Sequence, residues 1–420
     1  MVEPTQPGEQ DRRFDRGRFL AAGAAGAGGL VVGAGIGWGV ATALDDDDAS
    51  GDAAGNGAFD LPDGKRVGDF VVHSEDPVNV ETKRANFDAS YLTATGFMFI
   101  RANLPMLDPA LLETPGEWTL TVDGVNDPRD ISVSELKRIG VVTQPAVIQC
   151  SGNGRGYFEH EPSGSPWTVG AAANVFWTGV PVSAVAEALG GVRAGMRFLT
   201  GTGGEELPPD VSEREAVVER SVPVEKGLQD CLLAWEMNGE PVPLAHGGPL
   251  RLIVPGYWGI NSVKYLRRLA FAPQESDADI MVSSYRVRPI GVDSDPLQPT
   301  MWAMNVKSFI TSPTGENGSI DAGPSRIFGV AWAGEREIEQ VEVSTDGGET
   351  WDAATLHGPS LGPAAWRQFT YVFEAEQGEL VLASRATDSE GNIQPELRME
   401  NEAGYAHNGW RDPAVTVEVS

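Results

Sequence analysis

The chain runs to 420 residues, long enough for two or three domains, and sets 60 acidic against 31 basic side chains for a net charge of −29. So large a negative excess excludes a nucleic-acid partner, which would need a basic stripe, and leaves the surface self-repelling unless salt screens it. Lysine is scarce (Lys65, Lys83, Lys137, Lys226, Lys264, Lys307) and arginine carries most of the positive charge, a balance that fits a salt-rich surrounding.

Residues 1–44 read as an export segment. Arg12-Arg13, Arg16 and Arg18 precede Phe19 to Leu44, which carries no charge, is rich in Ala and Gly, and ends near the small-residue site Ala41-Thr42-Ala43. Paired arginines before a weakly hydrophobic core resemble a twin-arginine signal, the route by which folded proteins leave the cytoplasm. The stretch is also long enough to span a bilayer, so an uncleaved membrane anchor is the alternative. Residues 45–86 form an acidic, Gly/Ala-rich linker and N-terminal extension. Its first part, Asp45 to Gly64, has too little apolar surface to fold and is expected to be disordered.

From about Phe87 the pattern becomes globular, and 87–290 reads as one domain. Glu117 to Gly124 alternates apolar and polar residues and ends in a turn signal, predicting a strand. Ser132 with Glu135 has the spacing of a capping box and opens a short helix through Ile139. Pro145 to Ile148 reads as a buried strand that delivers Cys150 into the turn Ser151-Gly152-Asn153-Gly154, followed by Arg155. Pro181 to Leu189 reads as a helix stopped by Gly190-Gly191, and Arg251 to Val254 as another strand. Strands mixed with isolated helices, without regular βαβ alternation, predict an α+β fold. Cys150 is one of only two cysteines. Taken alone it reads as a packed core thiol, as half of a disulfide with Cys231, or as a residue with no special role.

The run Val147-Ile148-Gln149-Cys150-Ser151-Gly152-Asn153-Gly154-Arg155 resembles the metal-ligand loop of the sulfite oxidase family of molybdenum-pterin oxidoreductases. The resemblance extends from about Phe97 to Trp410. It implies that Cys150 binds molybdenum as a soft thiolate, and that Cys231 is a structural core residue. Phe99-Ile100-Arg101-Ala102-Asn103-Leu104-Pro105 resembles the segment that lies against the pterin and supplies an arginine to the anion pocket, here Arg101. Arg155 matches a second substrate-facing arginine, Trp167 a tryptophan lining the same pocket, and Tyr285 a tyrosine near the metal's equatorial oxygen. His246-Gly247-Gly248-Pro249-Leu250-Arg251 and Ser262-Val263-Lys264 match the segments that grip the pterin and its phosphate. Trp177-Thr178-Gly179 matches a Trp-x-Gly near the cofactor, where an aspartate of the family corresponds to Ala184. The implied cofactor is molybdenum-molybdopterin, with no haem in this chain, since Cys-x-x-Cys-His is absent.

Pro289 to Pro299 marks a boundary. Beyond it, 300–420 shows alternating runs at Ser325 to Trp332, Ile338 to Thr345, Phe369 to Phe373, Glu379 to Thr387 and Ala414 to Val419. Asp346-Gly347-Gly348 is a hairpin signal. These predict an immunoglobulin-like β-sandwich, which the family uses to form homodimers. One departure concerns the substrate: Glu400-Asn401-Glu402-Ala403-Gly404 places Ala403 where the family's Trp-Asn-x-Arg-Gly has an arginine, and His407 is the nearby candidate to replace it. The resemblance therefore implies oxidation of a small sulfur oxyanion, sulfite to sulfate, with electrons leaving to a separate acceptor protein. A sulfane dehydrogenase-like or sulfoxide reductase activity is the alternative on the same cofactor. An exported binding module that has lost its metal is the alternative of another class.

Overall fold

Two five-stranded sheets form the central region of the computed structural model, which describes residues 59–87, 90–205, 207, 217–314 and 319–420. The export segment and the start of the acidic linker lie outside the described residues. In the first sheet Val142–Gln149 pairs antiparallel with Ala172–Pro181, from Val142↔Gly179 to Gln149↔Ala172. Leu232–Met237 follows on the far side of Ala172–Pro181 and carries Glu240–Pro241 and Arg251–Ile253. The second sheet runs Arg129–Ser132, Thr119–Asp123, Leu266–Ala272, Phe198–Gly203, Glu219–Pro223. Its one parallel pair joins Thr119–Asp123 to Leu266–Ala272.

Local sequence explains these elements. Leu120 and Val122 alternate inward along Thr119–Asp123 and are fully buried. Each such side chain contributes roughly 1.5–3 kcal/mol of transfer free energy. The helix Val133–Ile139 opens with both halves of its capping box formed. The helix Val182–Ala188 ends before Gly190 and Gly191, whose φ angles of 80° and 88° suit glycine alone.

The fold starts earlier than the sequence indicated. Phe70–Glu75, Val78–Thr82 and Ile100–Arg101 form a three-stranded sheet, so the second half of the extension is structured. Its apolar alternation is short because two of its inward residues, Glu81 and Thr82, are polar. They are satisfied from far along the chain: the Glu81 carboxylate accepts from Thr168 N at 2.8 Å and Thr168 Oγ1 at 2.7 Å. A buried polar pair of this kind looks like loop in a sequence.

The C-terminal region is an immunoglobulin-like sandwich of two four-stranded sheets. One runs Lys307–Ser312, Gly323–Trp332, Arg367–Ala375, Thr355–His357; the other runs Asp352–Ala353, Ile338–Ser344, Gly378–Asp388, Val415–Val419. The Asp346-Gly347-Gly348 turn joins two antiparallel strands as predicted, with φ of 75° and 98° at its glycines.

Candidate active site

Cys150 sits where Val142–Gln149 ends, and its amide donates to Ala171 O at 2.9 Å, so the last ladder bond fixes the start of the turn. The turn folds on itself through Asn153 N to Cys150 O (3.0 Å) and Arg155 N to Gly152 O (2.8 Å). Gly154 takes φ 101°, and a side chain there would strike the His407 ring. A side chain on Gly152 would meet the Arg155 guanidinium at 2.5 Å. These two glycines are what let the turn be this tight.

The sandwich braces the turn. Trp332 Nε1 donates to Gln149 Oε1 at 2.7 Å, Lys307 Nζ to Asn153 O at 3.1 Å, and Ala406 N to Ser151 O at 3.0 Å. The C-terminal strands, which showed no chemistry in the sequence, thus hold the loop that carries the thiol.

Cys150 is half-buried and opens into a cleft that reaches solvent. The cleft brings together Arg101, Ala102, Asn103, Leu104, Cys150, His246, Arg251, Ser262, Val263, Lys264 and Tyr285 from six separated segments. Three expected residues are not part of its wall. Pro105 lies beyond the lining stretch. Trp167 is fully buried in the core beneath, edge-on to His73 at 4.8 Å, so it supports the pocket from behind instead of facing it. Arg155 is buried with Nε donating to Ala403 O at 3.0 Å and Nη1 to Ser165 O at 3.2 Å.

The side chains fall into two groups. In the first are His246, Arg251 and Lys264. Arg251 donates to Ser262 O at 3.2 Å and His246 O at 2.8 Å, with its guanidinium 5.3 Å from the Trp177 ring centroid. Lys264 Nζ donates to Ala245 O at 2.6 Å and Arg101 O at 3.0 Å. Burial pushes Lys264 down to about 7 and Arg251 down to about 10. Burial, with Lys65, Lys264 and Arg251 around it, pushes His246 well below the ordinary imidazole range. Cations this costly to bury persist where an anion repays them.

Sequence reasoning missed a carboxyl in this group. Glu205 lines the cleft, and burial raises it to about 7. Ala184, the position expected to lack a carboxylate, packs instead against the core of the second sheet, away from the cleft. The signal was there in Gly203-Gly204-Glu205, a polar end to a buried strand.

In the second group are Cys150, Arg101 and Tyr285. Tyr285 adopts φ 52°, a left-handed conformation unusual for a tyrosine, and stacks on Tyr405 with centroids 5.3 Å apart. His407 does not serve as a replacement cation. Its Nε2 meets Asp412 at 2.8 Å, Lys307 lies on its Nδ1 side at 3.4 Å, and burial then Lys307 push it down to about 4. It is neutral and packed behind Gly154.

A phosphate-bearing pterin with a thiolate-bound metal fits this donor set. Among the described residues His246 Nε2, Glu205 Oε2 and Ser151 Oγ are buried without a protein hydrogen-bond partner, beside the Arg251 and Lys264 cations and one cysteine that line the same cleft. Among the described residues no cluster of His, Cys, Asp or Glu could hold a metal by itself, so further ligands would come from the cofactor.

Known proteins agree with that fit. The family model for the oxidoreductase molybdopterin-binding domain matches residues 107–280, and that for the Mo-co oxidoreductase dimerisation domain matches 298–418. The chain is 33% identical over 344 residues to sulfite oxidase of Gallus gallus, covering 77% of this chain and 72% of that protein. Mitochondrial sulfite oxidase of Rattus norvegicus is 31% identical over 366 residues, covering 82% of this chain and 65% of that protein. Nitrate reductase [NAD(P)H] of Hordeum vulgare is 32% identical over 321 residues, but only 36% of its length is spanned. The crystal structure of the sulfane dehydrogenase SoxCD from Paracoccus pantotrophus superposes with a TM-score of 0.69 at 28% identity, covering 82% of this chain and 87% of that one.

Proposed function

This chain belongs to the sulfite oxidase family of molybdenum-cofactor oxidoreductases, and on that footing we propose that it oxidises sulfite to sulfate. One sulfite and one water give sulfate, two protons and two electrons, and the electrons pass to a separate acceptor protein. The observation that carries the reading is the convergence of the Cys150 thiol, the Arg101 guanidinium and the Tyr285 phenol on one cleft.

The cofactor, when bound, supplies the two-electron oxygen-atom transfer. Cys150 would hold the metal as thiolate, and His246, Arg251 and Lys264 would hold the pterin and its phosphate. Arg101 pairs with the charge of the arriving anion. The Tyr285 hydroxyl, which has no protein partner among the described residues, donates to a substrate oxygen and orients it. Met98, Phe99, Ile148 and Val263 form an apolar wall that keeps bulk water from the anion. The dimerisation-domain match supports a homodimer through the sandwich. The N-terminal arginines and the uncharged stretch after them support an extracytoplasmic location.

A sulfane or sulfoxide substrate is the second reading, favoured by the placement of Arg155 outside the cleft wall. The test is anaerobic addition of sulfite to oxidised, molybdenum-loaded protein in high salt. The expected result is bleaching of the visible absorption with one sulfate formed per molybdenum. Unchanged absorption in protein shown to contain the metal would move the assignment to the second reading.

A further inference from the structure

Arg220 takes part in none of the chemistry assigned so far, yet its side chain, on the strand Glu219–Pro223, lies almost wholly out of water. Its partners come from three separate segments. Nη1 donates to Ile280 O at 2.7 Å, Nη2 to Thr300 Oγ1 at 3.1 Å and Nε to Asn261 Oδ1 at 3.4 Å. All three acceptors are neutral. Glu275, whose charge reaches Arg220, is itself paired with Arg286 Nη2 at 3.1 Å. Burial pushes Arg220 down to about 10. A cation buried among neutral groups is a poor source of stability, and apolar residues of similar volume would serve the core better. What Arg220 provides is geometry, a planar fork that fixes three segments at once.

Those segments surround Tyr285. Ile280 belongs to the helical turn Asp279–Val282, just before Tyr285 in the chain. Thr300 forms an isolated bridge with Arg286, just after it, and the neighbouring Met301 N donates to Tyr285 O at 3.0 Å. Asn261 ends the turn Gly259–Asn261, whose Gly259 and Ile260 line the cleft beside Tyr285. Arg220 is also in contact with the ring itself. Its guanidinium lies 5.6 Å from the Tyr285 centroid, while Tyr405 stacks on the same ring at 5.3 Å and 10° from parallel. Two flat groups therefore restrain the side chain. The backbone needs restraint as well, because a tyrosine at φ 52° persists only where its surroundings hold it there. Arg220 meets both needs from outside the cleft wall, where it touches no arriving ligand.

We propose that Arg220 is a positioning residue: it fixes the backbone and ring of Tyr285 so that the phenol meets the oxyanion in one orientation. The proposal rests on the sulfur-oxyanion reading above, in which Tyr285 donates to the substrate.

The test is a double-mutant cycle in molybdenum-loaded protein at fixed ionic strength, with Arg220→Met, Tyr285→Phe and the two combined. Two quantities are measured: kcat/KM for sulfite, and the dissociation constant of the product sulfate by calorimetry. With Tyr285 present, Arg220→Met should lower kcat/KM and weaken sulfate by about tenfold each. Where Tyr285→Phe has already removed the hydroxyl, the same substitution should change either by less than about twofold. Molybdenum content should hold in all three variants. Equal losses in both backgrounds would mean that Arg220 serves the fold alone and would overturn the proposal, as would no loss in either. If Arg220→Met does not fold, Arg220→Lys decides by the same comparison, since it keeps the cation and loses the fork. A protein that never turns over sulfite but shows this coupling in its sulfate constants would sink the sulfite reading and leave the proposal standing. Neither turnover nor sulfate binding in the unaltered protein would overturn both.

Discussion

The two groups of side chains in the cleft handle charge in opposite ways. Around His246, Arg251 and Lys264 the fold buries cations whose protonation it has already made costly, with Lys264 at about 7. Around Cys150 it diverts Arg155 into bonds with Ala403 and Ser165 and leaves the Tyr285 phenol without a hydrogen-bond partner among the described residues. Arg101 touches both groups, its carbonyl accepting Lys264 Nζ at 3.0 Å while its side chain lines the cleft. A permanent ligand repays buried charge once, at assembly. A substrate that must enter and leave on every turnover is better met by donors that cost little when unoccupied.

The largest effect should come from removing the one soft ligand of the second group. Cys150→Ser exchanges a thiolate donor for a hard hydroxyl and should reduce sulfite turnover to background. Stability should move by only about 1 kcal/mol, because the site is half-buried and the volume nearly conserved. Turnover assays beside calorimetric melting check both parts. Full turnover in this variant would refute the assignment of Cys150.

How much of this was legible in the sequence divides along the same line. The turn at Cys150, the capping box at Ser132 and five of the eight sandwich strands depend on neighbours within a few residues and were readable, whereas Lys307–Ser312, Asp352–Ala353 and Thr355–His357 were not. What a side chain faces was not. Arg155 points at a carbonyl 248 positions away, and no local pattern encodes that. Trp167 is apolar enough to line a pocket or to fill a core, and only the packing of His73 against it decides. Glu81 is buried only because Thr168 comes to meet it. Tyr405 was invisible for a further reason. Its place is set by the Tyr285 ring from another segment and by the Arg155 guanidinium over its face.

A smaller effect with a change of sign should come from the first group. Lys264 titrates at about 7 in the fold against 10.5 when free. Between those values the unfolded chain binds more protons than the native one, so stability of the cofactor-free protein rises as pH climbs from about 7 toward 10. Below 7 the buried charge is carried in full. Lys264→Met should therefore stabilise the cofactor-free fold at pH 7, by on the order of a few kcal/mol, and flatten the rise. Lys307, also at about 7, and Lys65, at about 8, keep their shares of the slope. In loaded protein the same substitution should lower molybdenum content, because the phosphate loses its cation. Urea unfolding from pH 6 to 9 and metal analysis separate the two signs. A variant less stable than the parent without cofactor would mean that Lys264 serves the fold and not the ligand.

The smallest effect belongs to a site remote from both groups. Ser132 Oγ accepts from Glu135 N at 3.2 Å, and the Glu135 carboxylate accepts from Ser132 N at 2.9 Å, closing the first turn of Val133–Ile139. Ser132→Ala removes the side-chain cap and should cost about 1 kcal/mol. In a chain this long, a loss of that size moves the melting temperature by only about 1–2 °C. Molybdenum content and turnover at 25 °C should stay at parental values, because the helix packs against the second sheet and contributes no atom to the cleft. The comparison with Lys264→Met then becomes sharp. If metal loading follows global stability, Ser132→Ala lowers it and Lys264→Met at pH 7 does not. If loading follows the local cations, the pattern reverses, and the buried charge of the first group is there for the ligand alone.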